Sequence, residues 1–191
     1  MRRVLALALF PASLATAVFA DTGNRHVRSS DTELSRLLSR GVAASATFRT
    51  LVDTIDAVAV IVYVEPAVKL PAGRDGELLH VLVGSKAMPM LRVRIRNGLG
   101  DSRKIAVIAH ELQHVVETIQ GGGLTSAHAM TALFAALDRS QTRGGDPFDT
   151  DAAGQVEARV ASELRTAAKA ARRRHKSAQR NEERQSLERA R

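Results

Sequence analysis

Residues 101–120 constrain the fold more than any other stretch of this chain. Ile105, Ile108, Ala109, Leu112, Val115, Val116 and Ile119 recur at helical spacing. A helix with apolar side chains on nearly every side packs into a core, so the rest of the domain has to be built around it. Its polar face carries His110-Glu111-Leu112-Gln113-His114, an H-E-x-x-H string. Two imidazoles at i and i+4 lie one turn apart on one face. There both can reach a single divalent ion at about 2.0–2.1 Å. Glu111 is rotated by about 100° from His110, so it flanks the ion. A carboxylate in that place can take a proton from metal-activated water and hand it to a leaving amine. The bland alternative, two incidental histidines on a surface helix, is disfavoured by Val107, Ile108, Val115 and Val116 crowding the motif on both sides.

The flanking sequence predicts α+β architecture, with elements segregated rather than alternating. Asp31 or Thr32 caps a helical stretch over about 31–55 that carries Leu34, Leu37, Leu38, Phe48, Leu51, Val52 and Ile55. Three strands follow: Ile55 to Val64, Glu77 to Val83, and Met90 to Arg96, with a loop marked by Pro71, Gly73, Asp75 and Gly76. In the third, Leu91, Val93 and Ile95 alternate with Arg92, Arg94 and Arg96, which suggests a half-buried strand at a sheet edge. After Asn97-Gly98-Leu99-Gly100 comes the motif helix, capped by Asp101 or Ser102. Gly121-Gly122-Gly123 reads as a linker, because nothing around it resembles a phosphate-binding loop. A second helix is capped by Thr125 or Ser126, and a third starts at Asp146-Pro147. The expectation is a small domain with an N-terminal helix, a three-stranded, mainly antiparallel sheet, the H-E-x-x-H helix and two further helices.

The ends read differently from this body, which spans about 31–171. Arg2 and Arg3 followed by the apolar run Val4 to Phe19 and Val18-Phe19-Ala20 have the form of a signal peptide over residues 1–20. The protein is therefore expected to be exported, periplasmic or secreted. Residues 21–30 are polar and read as a flexible leader. The chain has no cysteine, so any ion must be held by His, Asp or Glu. The formal charge is +8, but residues 172–191 alone carry eight Lys/Arg against three Glu. The basic character belongs to this tail, suited to an anionic envelope surface or to solvation. With aromatic residues at 3%, a stacking nucleic-acid surface is not expected.

The string VIAHELQHVVE resembles the extended metal-helix pattern of the zincin metallopeptidases. More closely, the chain resembles a set of small exported bacterial HELQH proteins of unassigned function, whose later helix opens with a string like Phe148-Asp149-Thr150-Asp151-Ala152-Ala153. The resemblance covers roughly residues 45–165 and rests on about ten specific positions. It implies a Zn²⁺ ion, a peptide or protein substrate aligned along an edge strand where Met90 to Arg96 stands, and Glu111 as general base. It also bears on the third ligand. The metzincin continuation is absent, since Glu117 and Gln120 stand where glycine and a third histidine belong. The gluzincin arrangement draws a glutamate from a later helix, often as E-x-x-A, and Asp149 with Ala152 matches it except that Asp replaces Glu. On a helix starting at Pro147, Asp149 falls within about 20° of Val156 and Val160, and Glu157 about 80° off that centre. The expected metal set is His110, His114 and Asp149, with Glu157, His128 or no third protein ligand as alternatives. The shorter Asp also leaves room for a second reading, a non-catalytic zincin-like metal-binding domain that acts by binding another envelope component.

Other polar residues have simpler readings. Glu117 lies on the His110/His114 face one turn on, as a solvated group or as one that supports a ligand. His80 packs on the second strand. Tyr63 reads as a core residue rather than an oxyanion donor. Arg92, Arg94 and Arg96 form a solvated strand face that could also hold an acidic peptide.

Overall fold

The computed structural model describes residues 25–85, 87–140 and 150–189. The expected signal peptide, the helix start at Asp146-Pro147, and Asp149 lie outside the described residues. The chain forms β1 (Val27–Arg28), α1 (Thr32–Ala44), α2 (Ala46–Asp56), β2 (Ile61–Ala67), β3 (Gly76–Ser85), β4 (Met88–Arg96), α3 (Asp101–Gln120), α4 (Ala127–Ser140) and α5 (Asp151–Arg189). It is a mixed α and β fold.

The strand order is β1-β2-β4-β3. β1 and β2 pair in parallel, as do β2 and β4, while only β3 and β4 are antiparallel. The sheet is therefore mainly parallel, not mainly antiparallel as the sequence suggested. The reason is the hairpin: β3 runs out along the edge, and β4 returns between it and β2. β4 is consequently an interior strand, which corrects its expected place at the edge. Its arginines fit there because their face of the sheet is open and both neighbours offer acids. Arg92 binds Glu65 of β2 at 2.7 Å, Arg94 binds Glu77 of β3 at 2.8 Å, and Arg96 reaches Asp75 at 3.3 Å. The expected leader is also corrected where it is described. Val27 is buried, the His26 amide donates to Asp56 at 2.7 Å, and the Val62 amide donates to the His26 carbonyl at 2.9 Å. That pins residues 26–28 to the sheet.

The other face of the sheet carries Val62, Val64, Leu91, Val93 and Ile95, all buried, and α3 packs across it with Ile105, Ile108, Leu112 and Val115. Each such side chain contributes about 1.5–3 kcal/mol, enough for the same helix to bury Glu111, His114 and Thr118 as well. The helix is held at its start by Asp101, bonded to Arg36 and Arg40 at 3.0 Å each, and by Lys104, paired with Glu33 at 2.6 Å. Asp101 is thus the first helical residue and not a side-chain cap; that position is Gly100. α1, α2 and α5 also pack against α3, and α1 and α2 touch β2 and β1 as well. Ser45 separates α1 from α2 and caps α2 by accepting from the Phe48 amide at 3.0 Å.

α5 is fastened to this corner by Glu163. Its carboxylate accepts from the Ser45 hydroxyl, from the Thr47 hydroxyl at 2.8 Å and from the Thr47 amide at 3.1 Å. Burial pushes the carboxyl pKa up, but these hydrogen bonds, with Arg159 nearby, outweigh it and hold the group below the ordinary glutamate range. A carboxylate with a depressed folded pKa stabilises the protein above the unfolded value of about 4.3, and that stability disappears as pH falls through the folded value. Glu163→Gln is expected to cost about 1–3 kcal/mol at pH 7. The difference from the parent should vanish at acid pH, as urea unfolding at pH 7 and pH 3 would measure.

Candidate metal centre

His110, Glu111 and His114 sit in the middle of α3, on the face turned towards the start of β3. The two Nε2 atoms stand 3.2 Å apart, with ring centroids at 4.9 Å and planes inclined by 79°. Two nitrogens bound to one tetrahedral zinc at about 2.05 Å would be separated by about 3.3 Å. The separation is close to that distance, although here the two nitrogens are also within hydrogen-bond reach of each other.

Each ring has a carboxylate on its far nitrogen. Glu117 Oε2 lies 2.9 Å from His114 Nδ1, and Glu157 Oε2 lies 3.2 Å from His110 Nδ1. An Nδ1–H donated to a carboxylate leaves the Nε2 lone pair for a ligand and fixes the ring. The carboxylates are held in turn. Thr150 Oγ1 donates to Glu117 at 2.8 Å and Gln113 Nε2 at 3.3 Å. Arg103 donates to Glu157 and, at 2.9 Å, to Asp75. Burial raises the Glu117 pKa, but hydrogen bonds and charge from His114, with Thr150 and Gln113, leave it net lowered. The hydrogen bond to His110 lowers Glu157, against a smaller effect of burial and with help from Arg103. Both stay ionised at neutral pH, Glu117 hydrogen-bonded to His114 Nδ1 and Glu157 within ion-pair reach of His110 Nδ1.

Both histidines and Glu157 line a cavity of about 450 Å³. One wall is residues 73–79, the turn into β3 and its first strand residues; Arg103, Val107 and Phe134 contribute to the rest. The His114 ring meets Phe134 edge-on, with centroids 5.4 Å apart. Glu111 lines the same cavity although only 5% exposed. Gly76 makes this possible: a Cβ there would stand 2.7 Å from both Glu111 Oε1 and Val107 Cγ1. Only glycine lets β3 approach α3 this closely.

The alternatives for the third ligand separate in space. Glu157 is in the cavity but engaged with His110 Nδ1 and Arg103. His128 is exposed on α4 and does not line the cavity, so it is removed as a candidate. Asp149 lies outside the described residues. Its chain neighbour Thr150 starts α5, accepting from the Ala153 amide at 3.1 Å, while its hydroxyl donates to Glu117. Among the described residues, no group of three or more His, Cys, Asp or Glu side chains is arranged to hold a metal ion. The His80 side chain lies outside what is described. Tyr63 is not in the core: it sits on the arginine-bearing face with the Arg28 guanidinium 5.1 Å from its ring centre.

Sequence reading missed Arg103, Asp75 and Gly76. Arg103 had a signal, since it precedes His110 by seven residues and so shares its face two turns away. Asp75 and Gly76 read only as turn residues, and nothing local marks them as a wall of the cavity. No protein-family model, curated protein or solved structure matches the chain.

Proposed function

We propose that this chain is an exported zinc-dependent peptide hydrolase of the zincin type. The observation that carries the reading is the pair of Nε2 atoms 3.2 Å apart beside Glu111 in one cavity. When bound there, zinc would polarise the scissile carbonyl and make water a nucleophile at neutral pH. His110 and His114 would hold it, with Glu157 and Glu117 keeping their Nδ1 protons in place. Asp149, next in the chain to Thr150, is the third ligand in this reading. The Glu111 carboxylate would take the proton of the attacking water and return it to the leaving amine. The cavity's volume is within the range of about 300–1,000 Å³ of small-molecule sites. β3 is the terminal strand on this side of the sheet, so its outer backbone edge can take an extended peptide as an added strand. That gives β3 the alignment role the sequence had assigned to Met90–Arg96.

The second reading is a metal-binding domain without catalysis. What favours it is that only two ligand nitrogens converge among the described residues. One experiment separates the two. Elemental analysis should find about one zinc per chain, and the loaded protein should cleave members of an unbiased peptide library in a manner stopped by a chelator and restored by zinc. Full zinc with no cleavage selects the binding domain. No stoichiometric zinc rejects both.

A further inference from the structure

The last buried side chain of α5 is Leu164, and every residue from Ala168 to Arg189 is exposed. About 33 Å of helix therefore extends past the last contact with the core. Its charges are ordered. Arg165, Lys169, Arg172, Arg173, Lys176 and Arg180 all fall within an arc of about 100° around the helix axis. No acidic residue occurs between Leu164 and Glu182. The stripe is about 22 Å long and ends before Glu183, which returns to the same face. The opposite side over this length carries Ala167, Ala171 and Ala178 with one cation, Arg174.

We propose that this stripe docks the protein onto an anionic phospholipid bilayer, with the helix lying on the headgroups. A flat anionic surface can meet all six cations of a single line at once. A nucleic-acid duplex offers phosphates on both walls of the groove, so a helix seated there needs cations on two flanks, which the narrow arc does not supply. The stripe has no aromatic side chain to stack on bases and no apolar one to insert between acyl chains, so binding is electrostatic and salt-sensitive. No helix among the described residues is long and apolar enough to cross a membrane.

Co-sedimentation of the full chain with vesicles tests this. At low salt, vesicles of phosphatidylcholine with one third phosphatidylglycerol should bind it, and binding should fall steeply by 0.5 M NaCl. Pure phosphatidylcholine vesicles report any binding through the apolar residues 4–19. Each stripe cation is expected to be worth about fivefold in partitioning. The triple variant R172Q/R173Q/K176Q should therefore lose about 100-fold, and R174Q/R189Q, on the opposite side, no more than about threefold. Circular dichroism reports whether each variant keeps its helix, and a variant that loses helix is replaced by its Lys-substituted counterpart, which should bind as the parent does. Equal losses per cation removed in the two variants, no preference for phosphatidylglycerol, or displacement from vesicles by duplex DNA at matched phosphate would each overturn the proposal.

Discussion

Glu111→Gln is expected to lower peptide turnover by about 10²–10⁴-fold at unchanged zinc content. The amide keeps the shape of the side chain against Gly76 and Val107, so the helix and both imidazoles stay in place. It cannot accept the proton of the attacking water. The loss should appear in kcat, with KM little changed, because the group acts on the reacting atoms and not on the bulk of the substrate. A variant at Gly76 should act through the same carboxylate. Alanine there places a Cβ only 2.7 Å from Glu111 Oε1, which pushes the carboxylate aside, and a displacement of about 1 Å can cost about 10²-fold. Loss of zinc in Glu111→Gln, or turnover near the parent's, would contradict the assignment of the base.

The second large effect concerns the ligands and their supports. Glu117→Gln removes the carboxylate on His114 Nδ1 but no ligand, and is expected to weaken zinc binding by about 10–100-fold. Glu157→Gln should fall in the same range, since its carboxylate meets His110 Nδ1. Asp149→Ala should cost more than about 100-fold if Asp149 is the third ligand, as proposed. Competition titration against a chromogenic chelator measures all three. If Glu157→Gln proves the costliest and Asp149→Ala is near the parent, the third ligand is Glu157, and its engagement with Arg103 breaks when the ion binds.

The local features of the site were legible from the sequence because they are helical. Spacing within α3 places His110, His114 and Glu117 on one face, whatever surrounds them; Arg103, seven residues before His110, shares that face and was overlooked. The apolar set of α3 likewise announced its burial. The sheet was less legible, since alternation tells which face of a strand is buried but not which strands flank it. Arg92, Arg94 and Arg96 looked like an edge and belong to an interior strand, because Glu65, Glu77 and Asp75 come from elsewhere in the chain to meet them. Gly76 was hidden for the same reason: its need for glycine arises from the approach of α3, not from its own turn. A last helix was foreseen without a stated end, and α5 runs on through the charged tail to Arg189 because Ala, Arg, Lys, Glu and Gln are good helix formers.

The most direct test of the central claim is zinc K-edge X-ray absorption on the metal-loaded protein. Two imidazole nitrogens at about 2.0–2.1 Å with one or two oxygen neighbours, and loss of imidazole scattering in His110→Ala and His114→Ala, is the expected result. A shell made of oxygen alone, or a spectrum that the two histidine variants leave unchanged, would contradict it.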